Sequence, residues 1–217
     1  MGDAGGDALN AAAYLASRRK RALDLLVGGC ALLVAGPVLA ATVVAIRLET
    51  HGHPVYRQRR VGRDGRPFEL YKLRTMVSGA ENLGKGLAVD EGDDRITRLG
   101  AWLRRTSFDE VPNLVNVLRG EMSLVGPRPT VQVQVDRYDE RQRHRLDALP
   151  GITGWAQVNG RASLPWHERI ELDLWYVEHA SLLLDLRILA QTARMAVTGA
   201  GLYRGETGGW REPPAAR

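Results

Sequence analysis

A chain of 217 residues, 25% charged and 44% hydrophobic, is long enough for one domain with a substantial core and too apolar for a disordered polymer. The formal net charge of +5 suits an anionic partner and does not choose among nucleic acid, a membrane surface and a phosphorylated substrate. Cys30 is the single cysteine, which excludes an intrachain disulfide framework and a cysteine metal cluster and suits a cytoplasm-facing protein.

Residues 1–17 mix Gly, Ala and Asp with little periodicity and predict a mobile or weakly helical lead. Arg18, Arg19, Lys20 and Arg21 then precede an apolar run from Ala22 to Ile46 whose one charge is Asp24. A helix of that length reaches about 37 Å, more than the hydrocarbon core of a bilayer. The run is too long for a secretory signal and lacks a clear cleavage motif. Gly36-Pro37 lies past its middle, where proline's missing N–H and ring clash predict a break. Basic residues crowd both flanks, with Arg47, Arg57, Arg59, Arg60 and Arg63 on the far side, so the positive-inside rule holds both ends in the cytoplasm. The prediction is a re-entrant helix–break–helix over residues 18–50, with Asp24 near the interface; a kinked transmembrane helix is the alternative.

Downstream, Asp64-Gly65 is a turn signal between two extended runs and predicts a β-hairpin. Phe68, Leu70, Lys72 and Arg74 share one face of its second strand, so two apolar anchors lead to two cations that suit a diphosphate or simply a solvated face. Residues 77–92 hold several glycines and read as a loop or flap; Asp90, Glu91, Asp93 and Asp94 lack calcium-loop spacing. Ile96, Leu99, Trp102 and Leu103 give a helix that suits a membrane surface.

The stretch from Ser107 to Pro129 is the richest in chemistry. Val111, Leu114, Val115 and Leu118 recur as one buried helical face and Gly120 offers a stop. Pro112 belongs in a first turn, which places Asp109 and Glu110 at a helix N-terminus, an anion site where Asp109 stays ionised. Ser107 with Glu110 equally matches a capping box. Pro127-Arg128-Pro129 stiffens an arginine able to grip phosphate bidentately, or forms a plain surface loop.

Beyond it, residues 131–146 read as a polar, arginine-rich helix. Residues 150–161 are too Gly-rich for a helix and present Gln157, Asn159 and Arg161 on a loop suited to small-molecule recognition. Trp166–His179 and residues 182–197 read as amphipathic helices whose aromatics serve the core or the bilayer interface. Asp173 and Asp185 suit pairing with nearby arginines, and the Gly- and Pro-rich tail, residues 203–217, predicts disorder.

The run from Thr106 to Pro129, together with Lys72-Leu73-Arg74-Thr75-Met76 and residues 150–161, resembles the small monotopic phosphoglycosyl transferases, bacterial enzymes that move a sugar 1-phosphate from a nucleotide sugar to a polyprenol phosphate. The resemblance covers about residues 19–202. It implies a mainly α, α/β monotopic membrane protein with a re-entrant helix broken at Gly36 and Pro37, interfacial amphipathic helices, a small β-hairpin or sheet, and a cytosolic catalytic domain over residues 51–202. It implies Asp109 as nucleophile, Glu110 assisting with magnesium, and Mg2+ held by Glu110 and Asp109. By the same resemblance Arg128, Lys72, Arg74 and Arg145 bind substrate phosphate, and Gln157, Asn159 and Arg161 bind the nucleotide sugar. Asp173 and Asp185 match acidic positions of the pattern. Ala162 stands where the family usually has Asn, and Gly36 where it usually has Ser before the proline. The implied partners are a UDP-sugar, undecaprenyl phosphate and membrane lipids, with no nucleic acid and a homodimer left open. The implied place is the cytoplasmic face of the bacterial inner membrane. Two rivals remain at this level: a non-catalytic basic membrane adaptor, and a phosphohydrolase of polyprenol diphosphates.

Overall fold

A computed structural model of the chain describes residues 4–83, 93–160 and 164–198. Most of the predicted flap, Asp90, Glu91, Arg161, Ala162 and the tail lie outside the described residues.

The lead segment is more ordered than its composition predicts. Ala4–Leu15 form α1, whose Ala11 is buried in the main core and whose Tyr14 hydroxyl donates to Asp185 at 2.7 Å. Helix α2, Arg18–Glu49, starts where the Ser17 hydroxyl accepts from the Lys20 N–H, and it runs unbroken for 32 residues. The interruption expected at Gly36-Pro37 is therefore corrected: Pro37 lies inside one continuous helix. A proline removes a single backbone hydrogen bond, and the apolar turns on either side continue the ladder past it. Leu33 and Val34, next to that point, are 81% and 80% exposed, and among the described residues α2 is the one helix long and apolar enough to cross a membrane.

Both ends of α2 are tied to the same folded body. Near the N-terminus, Lys20 Nζ lies 2.5 Å from Asp185 and donates to the Val125 carbonyl at 2.8 Å, while Asp24 Oδ1 accepts from Ser123 Oγ and the Leu124 N–H, each at 2.9 Å. Asp24 is thus buried inside protein rather than set at a bilayer interface. Near the C-terminus, Ile46 packs with Leu73 and Leu103 in a small apolar cluster.

Strands β1 (Val55–Val61) and β2 (Pro67–Leu73) form the predicted antiparallel hairpin. Its turn needs left-handed backbone at Asp64 (φ 56) and Gly65 (φ 74), which an Asp-Gly pair supplies with little strain. The register sets Tyr56 opposite Lys72, Gln58 opposite Leu70 and Arg60 opposite Phe68, so these six side chains share one face. Helix α3 (Arg98–Thr106), capped by Thr97, ends at Ser107 in the left-handed region. Helix α4 (Asn113–Arg119) stops at Gly120, φ 80, as its glycine predicts. Its buried face is Asn113, Leu114, Asn116 and Val117, one step round from the predicted face, because the helix starts after Pro112 and packs between β2 and α2.

Strand β3 (Ser123–Val125) follows. The predicted arginine-rich helix then resolves into two short pieces, α5 (Gln132–Val135) and α6 (Glu140–Arg143), because Asp139 caps α6 with a full capping box and so starts a new helix. Strand β4 (Gly151–Thr153) pairs in parallel with β3. A Cβ on Gly126 would sit 2.2 Å from the Leu149 carbonyl oxygen, and one on Gly151 would sit 2.2 Å from the Gly126 nitrogen. Those glycines serve backbone-to-backbone approach. After β4 comes a short helix, α7 (Trp155–Val158), where a helix-free loop was predicted, and then α8 (Trp166–His179) and α9 (Leu182–Thr198).

The main core joins Phe68 and Leu70 of the hairpin, Leu114 and Val117 of α4, Leu124 and Val125 of β3, Tyr176 of α8 and Ile188 of α9. Each fully buried side chain of this size contributes about 1.5–3 kcal/mol. Together they fix the hairpin face, the turn before α4 and the loop after β3 against one another. Trp102 of α3 and Leu182, Leu183 and Leu186 of α9 remain outside this core with exposed apolar surface.

Candidate active site

Three chain segments converge on one carboxylate oxygen. Glu110 Oε1 accepts from Lys72 Nζ at 2.7 Å and from an Arg128 terminal nitrogen at 2.9 Å. Lys72 comes from the end of β2, Glu110 from a single 3-10 turn over Phe108–Glu110, and Arg128 from the loop after β3. The two prolines beside Arg128 fix its backbone while its side chain stays half-exposed at 51%, open to a ligand.

The pair Asp109-Glu110 does not sit at a helix N-terminus as predicted. The 3-10 turn spends the N–H groups of Glu110 and Val111 on the carbonyls of Ser107 and Phe108, and α4 begins only at Asn113. Nor does the Ser107 side chain cap this turn: Ser107 is left-handed (φ 56), ends α3 through its backbone N–H and makes no side-chain cap bond, so the capping-box alternative is not realised. What tunes the two carboxyls is their neighbours. Burial, followed by the charge of Glu110, pushes the Asp109 carboxyl up to about 6, against the pull of Lys72, Arg104 and Arg128. This shift is opposite to the one expected at a helix N-terminus, although a carboxyl at about 6 is still mostly ionised at pH 7. Burial would also raise Glu110, but Arg128 and Lys72 outweigh it and hold Glu110 far below the usual carboxylate range. Adjacent carboxyls are thus driven apart, a fixed anion and a group that titrates near neutrality.

The remaining predicted residues separate. Arg74 points away from the cleft: its guanidinium donates to the carbonyls of His53 and Thr50 and to the Thr50 hydroxyl, at 3.0, 2.7 and 2.7 Å, and so caps the C-terminal end of α2. β2 ends at Leu73, so the alternation that delivers Lys72 to the site no longer governs Arg74. Arg145 is also corrected. Only 8% exposed, it donates to Asp173 at 2.7 Å, to the Tyr138 hydroxyl at 2.5 Å and to the Arg128 carbonyl at 2.7 Å, which makes it a support for the Arg128 loop rather than a phosphate ligand. Asp173 is paired with an arginine as predicted, whereas Asp185 is paired with Lys20. Gln157 is buried in α7 with both amide atoms unpartnered, and Asn159 donates to the Trp155 carbonyl at 2.8 Å. Neither lines the cleft beside Glu110; Gly151 and Ile152, from the same motif, do.

That shallow cleft is lined by Arg60, Lys72, Glu110, Asn113 and Arg128 among others. Asn113 is 3% exposed with its Oδ1 unpartnered. Sequence reasoning missed Arg60 and Asn113. Arg60 was legible: once Asp64-Gly65 is taken as the turn, pairing puts Arg60 and Gln58 on the same face as Lys72. Arg104, which donates to Thr75 Oγ1 at 2.8 Å, adds a further positive charge that bears on Asp109.

The chain matches the bacterial sugar transferase family over residues 15–199. It belongs to that family. It is 41% identical over 185 residues to the uncharacterized sugar transferase EpsL of Bacillus subtilis, covering 85% of this chain and 90% of that protein. It is 40% identical over 193 residues to a UDP-glucose:undecaprenyl-phosphate glucose-1-phosphate transferase of Caulobacter vibrioides, covering 85% of this chain and 72% of that one. It is 40% identical over 188 residues to an Aeromonas hydrophila UDP-N-acetylgalactosamine-undecaprenyl-phosphate N-acetylgalactosaminephosphotransferase, covering 84% of this chain but 44% of that longer protein. As a bacterial sugar transferase, the chain carries the site described above in the segment that matches.

Proposed function

We propose that the protein is a phosphoglycosyl transferase that moves a sugar 1-phosphate from a UDP-sugar to a polyprenol phosphate and releases UMP. One observation carries this reading: a partly buried Asp109 stands beside a carboxylate that is clamped by Lys72 and Arg128. A phosphohydrolase or an adaptor does not call for a donor nucleotide, and the Caulobacter and Aeromonas relatives are by name undecaprenyl-phosphate sugar transferases.

In this mechanism an Asp109 carboxylate oxygen attacks the β-phosphorus of the UDP-sugar. The new acyl-phosphate bond forms as the bond from that phosphorus to the bridging oxygen breaks, and UMP leaves with the electron pair. A polyprenol phosphate oxygen then attacks the same phosphorus, which frees the Asp109 carboxylate and yields a polyprenyl diphosphosugar. Arg128 and Lys72 meet the charge on the phosphoryl oxygens, where such reactions need most help. Glu110 holds those two cations in place before substrate arrives.

Asp109 and Glu110 would be the two protein ligands of a magnesium ion. Among the described residues no group of three or more His, Cys, Asp or Glu could hold a metal, so the ion would take its remaining oxygens from diphosphate and water, as magnesium commonly does. When bound it would neutralise phosphoryl charge.

The membrane arrangement belongs to the same proposal. The exposed apolar middle of α2 enters the bilayer from the cytoplasmic face of the inner membrane, and the helix bends at Pro37 so that both ends stay on that side; the fastening of its two ends to one folded body by Lys20 and Arg74 supports this reading. The decisive experiment is intact-protein mass measurement after mixing with a panel of UDP-sugars and no acceptor. A phosphosugar adduct in wild type and none in Asp109→Asn is expected; normal turnover by a folded Asp109→Asn protein would falsify the covalent mechanism.

A further inference from the structure

The β-hairpin brings a third cation to the cleft. Arg60 lines it together with Lys72, Glu110 and Arg128, on the same sheet face as Lys72. Its guanidinium is held on two sides. Nε and one terminal nitrogen donate to Gln58 Oε1 at 3.1 and 2.6 Å, and the other terminal nitrogen donates to the carbonyl of Pro129, next to Arg128, at 3.3 Å. A guanidinium has five N–H donors, so these three bonds leave one on each terminal nitrogen, enough for a two-point grip on phosphate. Of the charged residues that line the cleft, Arg60, Lys72 and Arg128 are cations and Glu110 is the anion, so the lining itself carries an excess of positive charge.

We infer that Arg60 is a substrate-binding residue for the diphosphate of the nucleotide sugar, with Gln58 as the residue that positions it. The inference rests on the reading of the cleft given above. Burial and then the charge of Arg128 lower the Arg60 guanidinium to about 10, which leaves it charged at neutral pH. The neutral Gln58 fixes the Arg60 fork without offering a counter-charge, whereas Glu110 already partners Lys72 and Arg128. Arg60 thus makes its hydrogen bonds to neutral groups while Lys72 and Arg128 are ion-paired to Glu110, and an arginine rather than a lysine spans Gln58, Pro129 and phosphate together.

The test compares Arg60→Gln, Arg60→Lys and Gln58→Met with wild type, each as the full chain in lipid nanodiscs. Three readouts are taken: UMP release from the accepted UDP-sugar, binding of inorganic diphosphate by calorimetry, and the thermal midpoint. Arg60→Gln should lose about 100-fold in kcat/KM, the size of one lost transition-state contact. It should also bind diphosphate about tenfold more weakly, with its midpoint within about 3 °C of wild type. Arg60→Lys should recover part of both losses, since it keeps the charge. Gln58→Met should raise KM more than it lowers kcat. Wild-type diphosphate binding by Arg60→Gln overturns the inference. So does an Arg60→Lys protein no better than Arg60→Gln with a lowered midpoint, which would make Arg60 a prop for Pro129. If wild type releases no UMP from any UDP-sugar, the transferase reading falls, and the diphosphate titration still decides whether Arg60 binds the anion.

Discussion

Arg145 donates 2.7 Å to the carbonyl oxygen of Arg128, so one buried arginine sets the position of an exposed one. The same guanidinium is paired with Asp173, which is 1% exposed. On the other side of the loop, Lys20 and the Tyr176 hydroxyl donate to the Val125 carbonyl at 2.8 and 3.2 Å. The Pro127-Arg128-Pro129 loop is thus held at both ends by buried ionic groups, and this rigidity lets Arg128 meet Glu110 without being buried itself.

Arg145→Ala leaves Asp173 as an unpaired buried charge, and loss of one partner of such a pair costs about 3–5 kcal/mol. Urea unfolding should show that loss. Arg145→Lys keeps a charge but cannot reach Asp173, Tyr138 and Arg128 together, so it should fold and lower kcat more than it raises KM. An unchanged stability with a raised KM for UDP-sugar would instead mean direct contact with substrate.

Arg74 makes the opposite case, a cation that leaves the cleft to cap a helix. Arg74→Ala removes its bonds to Thr50 and His53 at the end of α2 and should cost about 1–3 kcal/mol. Activity per folded molecule and KM for UDP-sugar should stay near wild type. A KM rise of tenfold or more, with stability intact, would return Arg74 to the phosphate site.

For Asp109, the direction of its shift fixes two pH dependences of opposite kind. Its carboxyl is raised from 3.8 to about 6, so the ionised nucleophile is lost as pH falls through 6 and UMP release should drop about tenfold per unit below that. For stability the sign runs the other way. A carboxyl raised on folding binds its proton more tightly in the folded state, so folding carries no penalty below about pH 4 and the full penalty above 6. Asp109→Asn should then be more stable than wild type at pH 8 by up to about 3 kcal/mol, the equivalent of two pKa units, with the gap closing by pH 4. Equal urea midpoints at both pH values would show that burial does not strain this carboxyl.

Legibility in the sequence followed the range of the forces involved. The hairpin, α3, α8 and α9 were readable because turn chemistry and periodicity are local. Spacing alone left Lys72 as equally a solvated face, and only the family resemblance put it at one site with Glu110 and Arg128. Arg74 and Arg145 were misplaced because their partners, Thr50 and Asp173, come from distant elements that spacing does not reveal. The β3–β4 pairing was invisible for the same reason: two three-residue strands show no alternation, and Gly151 read as part of a loop when it in fact permits backbone contact with Gly126. Asp24 read as an interfacial charge because nothing nearby in sequence announces Ser123 and Leu124 as its partners.

The topology of α2 is the last prediction. A straight helix of 32 residues is about 48 Å long and would carry its two ends to opposite sides of a bilayer. Yet the N-terminal end holds Lys20 and Asp24 in the same body that receives Ile46 and Thr50 at the other end, and separating them would expose Asp185 and Arg74 to unpaired burial. Desolvated charges cost far more than bending one proline-containing helix, so both ends should stay on the cytoplasmic side. Exposed Cys30 must first be replaced by serine, so that single cysteines at Arg19 and His51, both exposed, report alone. A membrane-impermeant maleimide added to intact spheroplasts should label neither position, and added to inverted vesicles it should label both. Labelling of one position from each side would sink the re-entrant arrangement and make α2 a transmembrane span. Pro37→Ala, tested in the same assay, should leave the pattern unchanged if the buried pairs at the two ends decide the topology, and should shift it if the proline does.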